Sequence, residues 1–122
     1  MTAQTYDLPI AQGEDLQLYI VWRDKAGALV DLTGARVLFQ VRDAVDSADT
    51  LLDFDSDNLR DGQTIGPLNT SGVIDANVSG DITALLDFTL GKWDLFVILA
   101  GGQDKKLLKG KSSLERAVTR WR

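Results

Sequence analysis

Neither cysteine nor histidine occurs in this 122-residue chain. The first absence excludes disulfides and thiolate chemistry outright. The second removes the usual general base at neutral pH and the commonest metal ligand. Proline is scarce as well, with 2 residues against 11 glycines, so neither a collagen-like nor a proline-rich disordered chain fits. No apolar run approaches the roughly 20 residues a membrane-spanning helix needs; the longest is Leu95 to Ala100. The opening MTAQTYDLPI lacks a basic stretch followed by an apolar core, so it does not read as a signal peptide. The expected setting is a cytoplasm, or a particle assembled there, with no membrane contact. Carboxylates, lysines, hydroxyls and 2 tyrosines remain for catalysis. No nucleophile motif, phosphate-binding glycine loop or zinc spacing organises them. The expectation is a chain that is not an enzyme and has no cofactor.

What is present suits a globular domain: 44% hydrophobic and 25% charged residues. A chain of this length buries about two-thirds of its unfolded surface, enough core to fold without a metal. One domain over residues 1–122 is expected, with 115–122 as a C-terminal tail. The net charge of −5 hides an asymmetry. From Lys105 onward the bases are Lys105, Lys106, Lys109, Lys111, Arg116, Arg120 and Arg122, and Glu115 is the only acid. Two readings stay open: solvated side chains on an edge strand that discourage aggregation, or a basic edge meeting the acidic face of a second copy. Nucleic acid is a poor partner, because the body is acidic and no basic stripe carries interleaved aromatics.

Periodicity predicts strands. Leu16, Leu18, Ile20 and Trp22 alternate with polar neighbours, as do Val37, Phe39 and Val41. The connection between them, DKAGALVDLTG, is too long for a tight hairpin and too short for a helical crossover, and suits a corner between packed sheets. Thr50 to Phe54 reads as a short strand and the rest of 55–71 as a long surface loop. Ile74, Ala76 and Val78 mark another strand. GDITALLDF is the one helix candidate, with Asp81 as N-cap and Gly91 as stop. KWDLFVILA reads as a central strand buried on both faces, and GGQD turns it into a last strand from Lys105 to about Leu114. The sum is an all-β, immunoglobulin-like antiparallel sandwich of about seven strands with one short helix; a small antiparallel barrel is the alternative.

Three constellations bear on function. Asp53, Asp55 and Asp57 alternate like the first half of a calcium loop, but Asn58 stands where a glycine is needed and Thr64 where a bidentate Glu belongs. A solvated acidic loop is the better reading, and the same aspartates make a poor glycosidase pair in so short a chain. Trp22 and Trp93 are expected core anchors. Trp121, between two arginines, is either a frayed tail or an anchor on a neighbouring subunit.

LYIVWRDKAGALVDLTGARVLFQVRD resembles a pattern of small structural proteins of tailed bacteriophages. Trp22, Asp24, Gly27, Val30, Asp31, Leu32, Thr33, Gly34, Gln40, Val41 and Arg42 carry the likeness. GVIDANVSGDITALLDFTLGKWDLFVI and KKLLKGKSSLERAVTR continue it, so that it spans nearly all of residues 8–120. Leu29 replaces the usual proline before VDLTG, and Lys109 and Lys111 make the last strand unusually basic. The resemblance implies a virion protein: an assembly or adaptor module of the tail, baseplate or neck. Its expected partners are other phage structural proteins and copies of itself in a symmetric ring. The alternative is capsid decoration, or a host-surface or carbohydrate-binding module using loop 55–71. Lys105, Lys106, Lys109, Lys111, Arg116, Arg120, Trp121, Arg122, Asp53, Asp55 and Asp57 are the candidate contact residues.

Overall fold

A computed structural model describes residues 3–121. Its strands, in chain order, are β1 Gln4–Thr5, β2 Leu8–Ala11, β3 Leu16–Val21, β4 Arg36–Arg42, β5 Leu52–Asp55, β6 Gln63–Ile65, β7 Val73–Val78, β8 Leu90–Ile98 and β9 Asp104–Glu115, with one helical turn, α1 Gly80–Thr83, before β8. A six-stranded sheet has the order β1-β9-β8-β4-β5, with β2 also on β9, and faces a three-stranded sheet β3-β7-β6. Alternation works as expected on both. Val37, Phe39, Val41, Phe54, Leu95 and Val97 from the larger sheet meet Leu18, Ile74 and Val78 from the smaller, all buried. The rings of Phe39 and Phe54 stack 4.7 Å apart and Trp93 meets Phe39 edge-on at 6.4 Å, contacts worth about 1 kcal/mol each beyond their burial. Trp22 and Trp93 are core anchors.

The connector DKAGALVDLTG is the corner between sheets. Asp24 Oδ1 accepts the N–H groups of Ala26 and Ala28, and Gly27 takes a φ of 84° that an L side chain resists. Leu32 then drops fully buried between the sheets. Asp31 fixes the second turn by accepting the Thr33 N–H and hydroxyl, which holds its carboxyl below the usual range.

Several expectations are corrected. The last strand is not an edge: β1 and β2 run parallel to it, Gln4 opposite Leu108 and Leu8 opposite Ser112. This strand escaped sequence reading because TYDLPIA shows only two inward apolar residues, Leu8 and Ile10. It breaks at Tyr6–Asp7, where the Tyr6 carbonyl accepts the Trp93 indole N–H at 2.7 Å. Gly110 makes room for that carbonyl; a Cβ there would lie 2.3 Å from Tyr6 O. The 55–71 segment is not all loop, since it contains β6, and buried Gln63 bonds the Arg60 N–H and the Asp53 carbonyl. Ser79, not Asp81, caps the helix, and Gly91 belongs to β8. β8 is central, but its outward residues Phe96 and Ile98 are only half-buried. Glu115 ends β9, and the tail is tied down where Ala117 N–H donates to Gln12 Oε1 at 2.9 Å and Arg116 pairs with Asp87 at 2.8 Å.

Candidate interaction surface

The outward face of the six-stranded sheet bears Lys106, Lys109, Lys111, Asp53 and Asp55 of the candidate residues, and strand register arranges them in rows. Arg42, Lys92 and Lys111 are consecutive neighbours across β4, β8 and β9. The next row reads Asp53, Gln40, Asp94, Lys109, and the one after it Asp55, Leu38, Phe96, Lys106. Above them Arg36, Ile98 and Asp104 close the face. The β4, β8 and β9 members of these rows other than Arg36 border an open hollow of about 880 Å³.

A bulge decides one position. Register shifts between Leu95 and Phe96, so that Leu95 faces Leu108 but Phe96 faces Lys106. Strict alternation from Lys111 and Lys109 would turn Leu107 outward; the extra residue brings out Lys106 instead. Its ammonium sits 5.3 Å from the Phe96 ring centre and 3.6 Å from Asp94. Lys105 falls opposite Val97 and is half-buried.

The two flanks of the face use charge differently. On the β4–β5 side Arg36 donates twice to Asp55, from Nε at 2.9 Å and from Nη2, and also approaches Asp57 at 3.5 Å. Arg60 stands 3.5 Å from Asp53, whose other oxygen accepts from Gln40. The hydrogen bond from Arg36 holds the Asp55 carboxyl well below the usual carboxylate range, against burial, with Asn58 and the Asp57 N–H helping. On the β8–β9 side Lys92, Lys109 and Lys111 make no ion pair among the described residues.

The remaining candidates lie elsewhere. Arg116 is spent on Asp87 and the Phe88 carbonyl at the far end of the sandwich. Arg120 and Trp121 border a small hollow there with Gln12, Ala84 and Ala117, and Trp121 is 64% exposed. Arg122 lies outside the described residues. The candidates are therefore three groups: lysines on β9, aspartates on and just after β5 with β8 and β4 between, and the terminal segment at one end. Sequence reading missed Lys92 and Arg42, because only strand pairing aligns them with Lys111. Among the described residues no group of three or more acids is placed to hold a metal ion, and no helix is long and apolar enough to cross a membrane.

Two facing sheets, the corner between β3 and β4, and a first strand parallel to the last define an immunoglobulin-like β-sandwich. Solved structures agree on that class. A structure of Tim-1 aligns with a TM-score of 0.51 over 98% of this chain and 100% of its own, at 10% identity. One from a photo-crosslinking analysis of multimeric cell-adhesive interactions of VGSC beta subunits aligns at 0.50 over 94% and 93%, at 13% identity. One from the complex of ICOS with ICOS-L and an anti ICOS-L VNAR domain aligns at 0.52 and 15% identity, over 94% of this chain and 56% of that one. At such identities the likeness is one of fold alone. No protein-family model matches the chain, and no curated protein matches it in sequence.

Proposed function

We propose that this chain is a structural assembly module of a tailed-bacteriophage particle, acting by surface contact with copies of itself or with a larger scaffold and not by catalysis. The observation that carries the contact reading is the row Arg42–Lys92–Lys111 with Lys109 beside it. Like charges placed directly opposite each other across strands destabilise a sheet. Lys92, Lys109 and Lys111 make no ion pair among the described residues, and they gain most when a partner supplies carboxylates. The particle setting is supported by the ordered motifs around Trp22, the DLTG at 31–34 and the Gln40–Arg42 strand end. The non-enzymatic part is supported by a composition without histidine or cysteine.

Quantitative mass spectrometry of purified particles made from the genome that encodes the chain tests this. A fixed copy number per particle, retained through density-gradient purification, is the expected result. Absence from particles while the protein accumulates in infected cells overturns it.

A further inference from the structure

An edge strand offers its backbone to another chain unless charge, proline, a bulge or shortness prevents it. The larger sheet ends on one side at β5, four residues long with Asp53 and Asp55. On the other side it ends at β1 and β2, which carry Pro9 and the break at Tyr6–Asp7. The smaller sheet ends on one side at β6, only three residues long. Its other edge is β3, six residues with no charge, no proline and an unbroken register against β7. Among the described residues it is the one edge without such a defence. Trp22 N–H donates to Gly72 O, so the even-numbered residues of β3 bond β7 and the odd-numbered ones turn their N–H and C=O away from it. Those groups of Gln17, Tyr19 and Val21 have no partner among the described residues. All three residues are exposed, Tyr19 by 59%.

We propose that β3 pairs antiparallel with β3 of a second copy, about a two-fold axis normal to the smaller sheet at Tyr19. Such a contact requires a strand complementary to itself, and the residue order supplies one. With Tyr19 opposite Tyr19, Gln17 falls opposite Val21 and Asp15 opposite Arg23. No like charges meet in these pairs, and symmetry makes the Asp15–Arg23 pair twice. Asp15 Oδ1 accepts the Gly80 N–H and Arg23 Nη1 donates to the Gly27 carbonyl, but neither residue has an ion pair among the described residues. Sliding the register by two residues in either direction separates Asp15 from Arg23. The next pair outward, Glu14 with Asp24, is acidic, but both residues have left the strand. Glu14 N–H closes a turn on Ala11 O, and Asp24 Oδ1 is held by the Ala26 and Ala28 N–H groups. The pairing satisfies the open edge with about six backbone hydrogen bonds and joins two three-stranded sheets into one. It uses the sheet opposite the lysine face and does not depend on the particle reading.

The chain has no cysteine, so disulfide cross-linking of the full chain tests the register directly. Opposite residues of an antiparallel pair have Cα atoms about 4.5–5.5 Å apart, within disulfide reach, whereas Gln17 and its symmetry mate are four residues out of step, about 13 Å. Under mild oxidation Gln17→Cys alone and Val21→Cys alone are expected to stay uncross-linked, and their mixture to give a disulfide-linked heterodimer. Both variants keep the Tyr19 ring and change an exposed side chain, so an unchanged far-UV spectrum is expected. Sedimentation velocity of the wild type at its highest soluble concentration is expected to show reversible dimer. Tyr19→Lys sets two ammonium groups opposite each other without touching the β7 ladder, and is expected to weaken association roughly tenfold; Arg23→Glu, opposite Asp15, acts in the same direction. A monomeric wild type overturns the pairing, as does association indifferent to Tyr19→Lys. Cross-linking of either single variant as readily as the mixture overturns it too. Particle incorporation is scored separately. A monomeric wild type that still enters particles overturns self-pairing and leaves the assembly reading standing, whereas a dimer that never enters particles does the reverse.

Discussion

The two flanks of one sheet face spend their charges in opposite ways. Between β4 and β5, Arg36 satisfies Asp55 with two hydrogen bonds and leans toward Asp57. Between β8 and β9, Lys92 and Lys111 stand opposite each other with no carboxylate paired to either among the described residues. The planar guanidinium fits a carboxylate in a fixed fork, whereas a lysine ammonium is a mobile, well-hydrated point charge. The first flank therefore contributes to folding, whereas the second carries charge that no carboxylate among the described residues pairs with. A cluster of charge in a sequence says nothing about which of these it is until its neighbours are known.

The lysine flank depends on a sealed backbone, and breaking that seal has the largest expected effect. Gly110→Ala places a Cβ 2.3 Å from the Tyr6 carbonyl oxygen, a backbone atom, and so forces β1 away from β9. The Trp93 indole then loses its acceptor. Urea denaturation is expected to show a loss of about 3 kcal/mol, with hydrogen exchange accelerated over residues 4–11. An unchanged midpoint would mean that the N-terminal strand contributes little to holding β9.

Next in size is the arginine flank. Asp55→Asn is expected to cost about 1.5 kcal/mol at pH 7, the usual size for a charge-assisted hydrogen bond. The sign with pH follows from the lowered titration of Asp55. Its carboxylate stabilises the fold fully above the ordinary value of 3.8, and that contribution is lost as pH falls further through the native value. Wild type and Asp55→Asn should therefore differ at pH 7 and converge below about pH 4. A constant gap from pH 7 to pH 2 would show that the loss came from packing and not from charge.

These two flanks also mark what was legible in the sequence. Period-two alternation located β3, β4, β7, β8 and β9, and the spacing between Trp22 and Arg36 suggested the corner that buried Leu32 now explains. The N-terminal strand was not legible, because it pairs with residues 104 positions away and its inward residues are only Leu8 and Ile10. β6 was hidden for a similar reason: Gln63–Ile65 is short, and its inward residue is a glutamine satisfied by the Asp53 carbonyl. At the site, the basic character of Lys109 and Lys111 was visible. Their alignment with Lys92 and Arg42 was not, since register is a property of pairing. Asp55 and Asp57 drew attention as a run of acids, and only the cross-strand position of Arg36 shows that they are already satisfied.

The smallest predicted effect is the most direct measure of the contrast. Lys111→Ala removes one member of the like-charged pair with Lys92 and leaves no acid unpartnered. Cross-strand like charges cost a few tenths of a kcal/mol, so thermal denaturation at about 20 mM salt should show the variant as stable as wild type or about 0.3 kcal/mol more so. Dilute protein keeps any self-association out of the measurement. The gain should fade at about 0.5 M salt, where charges at cross-strand distance are screened. Asp55→Asn behaves in the opposite sense, losing stability at low salt and retaining most of that loss when salt is added, because its partner is held at hydrogen-bonding distance. If Lys111→Ala instead destabilised the fold to the degree of Asp55→Asn, the lysine flank would be part of the folding machinery, and the case for an external partner would lose its physical basis.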